Sequence, residues 1–178
     1  MGAGNIVFQV GSFFFYVLFQ VVFLKNLSLF NYAFCFAYVM FLLSLPLEVD
    51  RILQMGIAFA TGFTIDVFYD TLGIHAAACV LIVYVRKYVL DFFKPIGGYE
   101  QGAPLTVSAL GLPWFVRYAA SMVFIHHLAL FMVSASNLEM LGFTVLKAMA
   151  STLFTTMAIV LMQYFPKLYA LSRKRRRV

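Results

Sequence analysis

Residues 62–78 read GFTIDVFYDTLGIHAAA, and the way they are read decides how the rest of the chain is threaded. Asp66, Asp70 and His75 stand in a run otherwise apolar enough to enter a lipid bilayer. Ala58, Gly62, Asp66 and Asp70 recur every four residues, so they share one side of a helix. Ala58 and Gly62 are small, which suits the close approach of another helix backbone. DTLG then reads as a turn, with Gly73 easing the bend and Asp70 placed to cap the next helix. Asp66 lies too deep for a cap, and its position predicts a packing or functional role inside a bundle.

Composition supports the membrane reading. Of 178 residues, 63% are hydrophobic and 11% charged, whereas soluble domains are about half apolar and a quarter charged. One soluble core cannot hide that surplus, and the apolar runs recur from end to end. The net charge of +6 does not indicate nucleic acid, because five of the thirteen basic residues are packed into Arg173, Lys174, Arg175, Arg176 and Arg177. A basic block directly after an apolar run is a topology signal and a ligand for anionic lipid headgroups.

Six runs approach spanning length: 6–24, 27–47, 52–69, 72–90, 114–134 and 138–165. They predict an all-α, six-helix transmembrane domain over 1–167, a long connection at 91–113 and a basic tail at 168–178. The first run lacks a small-x-small exit and is expected to remain a helix rather than be cleaved. With six spans, Arg51, Arg86, Lys87, Lys94, Arg117, Lys167 and the five tail residues share a side with both termini, against Lys25 on the other. Eleven against one puts both termini in the cytoplasm.

This threading gathers Asp66, His75, His126, His127 and Lys147 in the outer half of the membrane, where ionisable groups normally find partners. Thr144, Lys147, Ser151 and Thr155 form a polar stripe on the sixth run, and the simplest arrangement pairs Lys147 with Asp66. His126 and His127 are adjacent, so at most one is expected to point inward. Cys35 and Cys79 lie in apolar runs without metal-ligand or redox spacing. No GxSxG, HExxH or phosphate loop occurs, so no enzyme activity, cofactor or metal is expected. The 91–113 connection mixes Phe92, Phe93 and Tyr99 with Gly97, Gly98, Pro95, Pro104 and Pro113, and is expected to form a defined surface.

The stretch 62–89, GFTIDVFYDTLGIHAAACVLIVYVRKYV, resembles the signature of the rod shape-determining protein MreD family. The matching positions are Gly62, Asp66, Leu72, Gly73, Ala76, Tyr84 and Arg86. Length, six apolar runs and a basic tail agree as well. The resemblance implies a non-enzymatic component of the bacterial cytoplasmic membrane that binds MreC. Through MreC it would work with MreB and with the glycosyltransferase and transpeptidase that build lateral peptidoglycan. The family is also similar in fold to the substrate-binding subunits of energy-coupling-factor vitamin transporters, which is the competing functional expectation.

Overall fold

The computed structural model describes residues 3–29, 32–100, 102–135 and 141–175. α1 (Ala3–Phe19) continues through a wider π turn, Gln20–Leu24. A two-residue antiparallel ribbon follows, β1 (Ser28–Leu29) and β2 (Ala33–Phe34), with Ser28 opposite Phe34. Then come α2 (Val39–Leu43), α3 (Arg51–Tyr69) and α4 (Ile74–Phe92). A short α5 (Val107–Leu110), α6 (Leu112–Ser134) and α7 (Leu141–Arg175) complete the described chain.

Among the described residues four stretches, Val7–Leu24, Arg51–Tyr69, Leu112–Ser134 and Leu141–Tyr164, are long and apolar enough to cross a membrane. α4 is as long as α3, but Arg86, Lys87 and Asp91 sit in its last two turns. The outer surface is apolar, and the largely apolar interior carries a set of buried polar groups. Phe8, Phe23, Leu53, Phe63, Val67 and Leu153 face outward, while Gln20, Gln54, Asp66, His75, Arg86, Ser151 and Thr155 are buried. An exterior this rich in large apolar side chains suits hydrocarbon rather than water, and the polar groups inside are those a bilayer would not hydrate. The chain has the architecture of an all-α membrane protein.

The run 27–47 departs from expectation: it forms no spanning helix. Its described residues form the ribbon, a short irregular stretch with a turn at 37–38 and the short α2, and every residue from Cys35 to Leu43 is buried. The segment still travels the length of the bundle. Near one end, Gln20 Nε2 donates to Cys35 O and to Tyr69 OH; near the other, Gln54 Nε2 donates to Pro46 O and Val49 O. Tyr69 and Gln54 are fifteen residues apart on α3, a rise of about 22 Å. The eleven steps from Cys35 to Pro46 therefore advance about 2 Å each, between helix and strand. Hydropathy measures apolar length, not conformation, so it sees this run as one more helix.

α3 and α4 form a hairpin, and here close approach follows the sequence. A Cβ on Gly62 would lie 2.5 Å from Ala76 Cα and 2.6 Å from His75 O. Any side chain at this position would force the two helices apart. The turn holds Gly73 at φ +93, so the glycine expected to ease the bend does so in the left-handed region. Asp70 (φ 57) and Leu72 (φ 43) are also left-handed, and Leu72 is 98% exposed.

The 91–113 connection is a folded cap on one end of the bundle. Trp114 Nε1 donates to Phe93 O at 2.6 Å, Tyr99 packs edge-on against Trp114, and Leu105 is buried. Thr106 caps α5 by accepting from Ala109 N, and Gln163 Oε1 on α7 accepts from Val107 N at 2.8 Å. Arg173, Lys174 and Arg175 are the last residues of α7; their side chains, and Arg176 and Arg177 entirely, lie outside the described residues, so the expected lipid role of the tail does too.

Candidate functional site

The polar groups expected to form a cluster are divided between two tasks, and the pairing expected between them does not occur. Asp66, 4% exposed, accepts from Thr71 Oγ1 at 2.5 Å, His75 N at 3.0 Å and Ala76 N at 2.9 Å. It caps α4, whose free N–H groups and positive end favour a carboxylate. This corrects the assignment of that role to Asp70. Asp70 is exposed and closes α3, its N–H donating to Asp66 O. The carboxylate reaches its helix from across the turn, with Gly62 admitting α4 closely enough for the bonds to form.

Lys147 is elsewhere. Its Nζ lies 4.7 Å from the centre of the Phe34 ring and 4.6 Å from that of Phe131. Among the described residues no ion pair joins it to Asp66. The α7 stripe does face inward, with Thr144, Ser151 and Thr155 buried, but its counterpart is the central segment rather than α3. Ser151 Oγ accepts from Phe34 N at 3.0 Å. Thr155 Oγ1 accepts from Phe36 N at 3.1 Å and donates to Phe34 O at 3.2 Å.

Both His126 and His127 are fully buried, against the expectation that only one would point inward. Adjacent residues diverge by about 100° around a helix, and α6 has protein on both of those sides. His127 Nδ1 donates to Val123 O at 2.8 Å, and its Nε2 lies 3.2 Å from Thr155 Oγ1. His126 Nε2 turns to the central segment and meets Tyr38 OH at 2.8 Å. His75 Nδ1 meets the same hydroxyl at 2.8 Å, with Cys79 Sγ at 3.7 Å. Tyr38 carries one proton, so it donates to one imidazole and accepts from the other. His126 Nδ1 is buried without a partner. Phe36 packs on His75, His126 and His127 with ring centres 5.1–6.2 Å apart.

Gln20, Tyr38, Gln54, Tyr118 and Thr71 belong to this network and were absent from the sequence expectation. Gln20 and Gln54 carried a usable signal, since a lone amide inside an apolar run needs a partner in the bundle. At the basic end, Arg86 (2% exposed) donates from Nε to Tyr118 OH at 3.0 Å and from Nη1 to Gln54 Oε1 at 2.8 Å. Its Nη2 donates to Leu43 O and Leu45 O, at and just beyond the end of α2, and Leu43 O also accepts from Tyr118 OH at 3.2 Å. Irregular backbone at membrane depth needs such donors and acceptors, and the described polar interior supplies them along the whole segment.

Between α3 and α4 the outer face opens as a groove of about 870 Å³ whose lining includes Phe59, Phe63, Asp66, Gly73, Ala77 and Tyr84. Among the described residues no group of three or more His, Cys, Asp or Glu side chains is arranged to hold a metal ion. Set against family models, curated proteins and solved structures, the chain matches none.

Proposed function

We propose that this chain is a non-enzymatic scaffold of the bacterial cell-elongation machinery, similar to MreD, which binds MreC in the cytoplasmic membrane and supports lateral peptidoglycan synthesis. The chain crosses the bilayer six times with both termini in the cytoplasm, five times as a helix and once as the central segment. The observation that carries the reading is the α3–α4 hairpin. Gly62, Asp66, Gly73 and Ala76, the signature-like positions, make one packing unit through the Asp66 cap and the Gly62 contact. That unit forms one wall of the groove, whose small residues admit a partner helix closely. A bitopic protein such as MreC offers a single span of that kind. The bonds that His127, Ser151, Thr155 and Gln20 make within the chain fit a static frame.

A second reading, a substrate-binding subunit of an energy-coupling-factor vitamin transporter, rests on the unpartnered Nδ1 of His126. Affinity purification from native membranes in mild detergent separates the two. The scaffold predicts recovery of MreC with wall-synthesis enzymes, lost when Ala77→Trp fills the groove. Recovery of coupling ATPases or a bound vitamin instead would replace it with the transporter reading.

A further inference from the structure

Arg86 has more capacity than its capping role uses. A guanidinium carries five N–H donors. Nε serves Tyr118, Nη2 serves Leu43 O and Leu45 O, and Nη1 serves Gln54, which leaves one donor on Nη1. Beside it lies a cleft of about 240 Å³ at the basic end, lined by Arg86, Arg51, Lys87, Asp91, Gln54 and Tyr99 among others. Three cations face one carboxylate, and no ion pair forms between them among the described residues. Arg51 is held in place by the rings of Tyr84 and Tyr88, 4.5 and 5.7 Å from their centres, and by a bond to Tyr84 O, yet its Nε is buried without a partner. Tyr99 closes the rim. Burial, with Tyr118 and Asp91 nearby, pushes its phenol up to about 12, so it stays neutral and donates to Leu90 O.

Unpaired donors, surplus positive charge and a partly enclosed space call for an anion. The cleft falls below the range of about 300–1,000 Å³ typical of sites for whole drug-sized ligands, so it takes a small charged group rather than a nucleotide or a sugar. It also lies at the ends of α3 and α4, where phosphate groups lie when these helices span a bilayer. Basic pockets between membrane helices bind acidic headgroups.

We propose that the Arg51–Arg86–Lys87 cleft is a binding site for a phosphate-bearing anion, supplied by an acidic phospholipid headgroup or by free phosphate. It is separate from the groove between α3 and α4, and does not depend on the partner proposed there. Asp91 limits affinity, and Arg86 couples the bound anion to the carbonyls of Leu43 and Leu45, so that occupancy stiffens the central segment.

The test is thermal melting of the purified full chain in neutral detergent, titrated with short-chain phosphatidylglycerol, short-chain phosphatidylcholine, or inorganic phosphate against chloride at equal ionic strength. A saturable rise in melting temperature with phosphatidylglycerol or phosphate, and not with phosphatidylcholine, is expected. A rise with the lipid alone identifies the headgroup as the source, and a rise with phosphate identifies the free ion. Arg51→Gln with Lys87→Gln should weaken binding about twenty-five-fold, at roughly fivefold per cation. Asp91→Asn, at an exposed site, should strengthen it several-fold and serves if the double variant does not fold. Replacing Arg173, Lys174, Arg175, Arg176 and Arg177 with Gln should leave binding unchanged. An effect carried by the tail variant, equal response to phosphatidylcholine, no response to either anion, or unaltered affinity in Asp91→Asn would overturn the site.

Discussion

Asp66 and Arg86 are opposite charges buried to similar depth, and among the described residues neither forms an ion pair. Asp66 draws its partners from residues five to ten positions along the chain, across one turn. Arg86 draws its partners from residues 32 to 43 positions away, on three separate segments. Each sits where free backbone groups have the complementary sign, the carboxylate at a helix start and the guanidinium after a helix end. The difference lies in what each stabilises. Asp66 closes a local hairpin that is already helical on both sides. Arg86 holds a segment whose only helix, among the described residues, is the five-residue α2 and which otherwise leans on distant side chains.

That contrast breaks most readily at Arg86. Arg86→Ala strands Leu45 O and Gln54 Oε1, and should cost about 2–6 kcal/mol, at roughly 1–3 kcal/mol per buried unsatisfied group. Melting in detergent micelles measures it, and Arg86→Lys should recover only part, since an ammonium lacks the fork that reaches both carbonyls. Asp66→Ala should cost about 2 kcal/mol, the upper end of a helix cap, with faster amide exchange confined to His75 and Ala76. Exchange spreading equally into residues 35–45 would show that the two sites are not separable in this way. Thr71→Val removes one of three bonds to Asp66 and should cost about 1 kcal/mol. Lys147→Met exchanges contacts with Phe34 and Phe131 and should cost about 0.5 kcal/mol. Combined with Asp66→Ala, it should be additive, since the two groups share no partner.

Much of this was legible in the chain. The helices at 52–69, 72–90 and 114–134 were placed to within a few residues, because a long apolar run ending in charge or glycine has few alternatives in a membrane. The small face at Ala58 and Gly62 was legible from spacing alone. The Asp66 cap was not, because capping is normally read from the residue beside the helix, and this carboxylate acts from eight positions before Ile74. The irregularity of 27–47 was not legible either. Nothing in LSLFNYAFCFAYVMFLLSLPL forbids a helix, and its conformation depends on Ser151, Thr155 and His126, which lie far along the chain. Spacing shows the α7 stripe as a face but cannot show its neighbour, for the same reason.

The central segment has a consequence for biogenesis. Its bonds to Ser151 and Thr155 span 117 to 121 residues, so when α4 emerges from the ribosome the acceptors and donors it needs have not been synthesised. Until α7 arrives, these residues must hold another conformation, such as a provisional helix or a stretch left in the insertion channel. The last helix to be made thus decides the final form of the second segment, and chains truncated before α7 would present that segment to quality-control proteases.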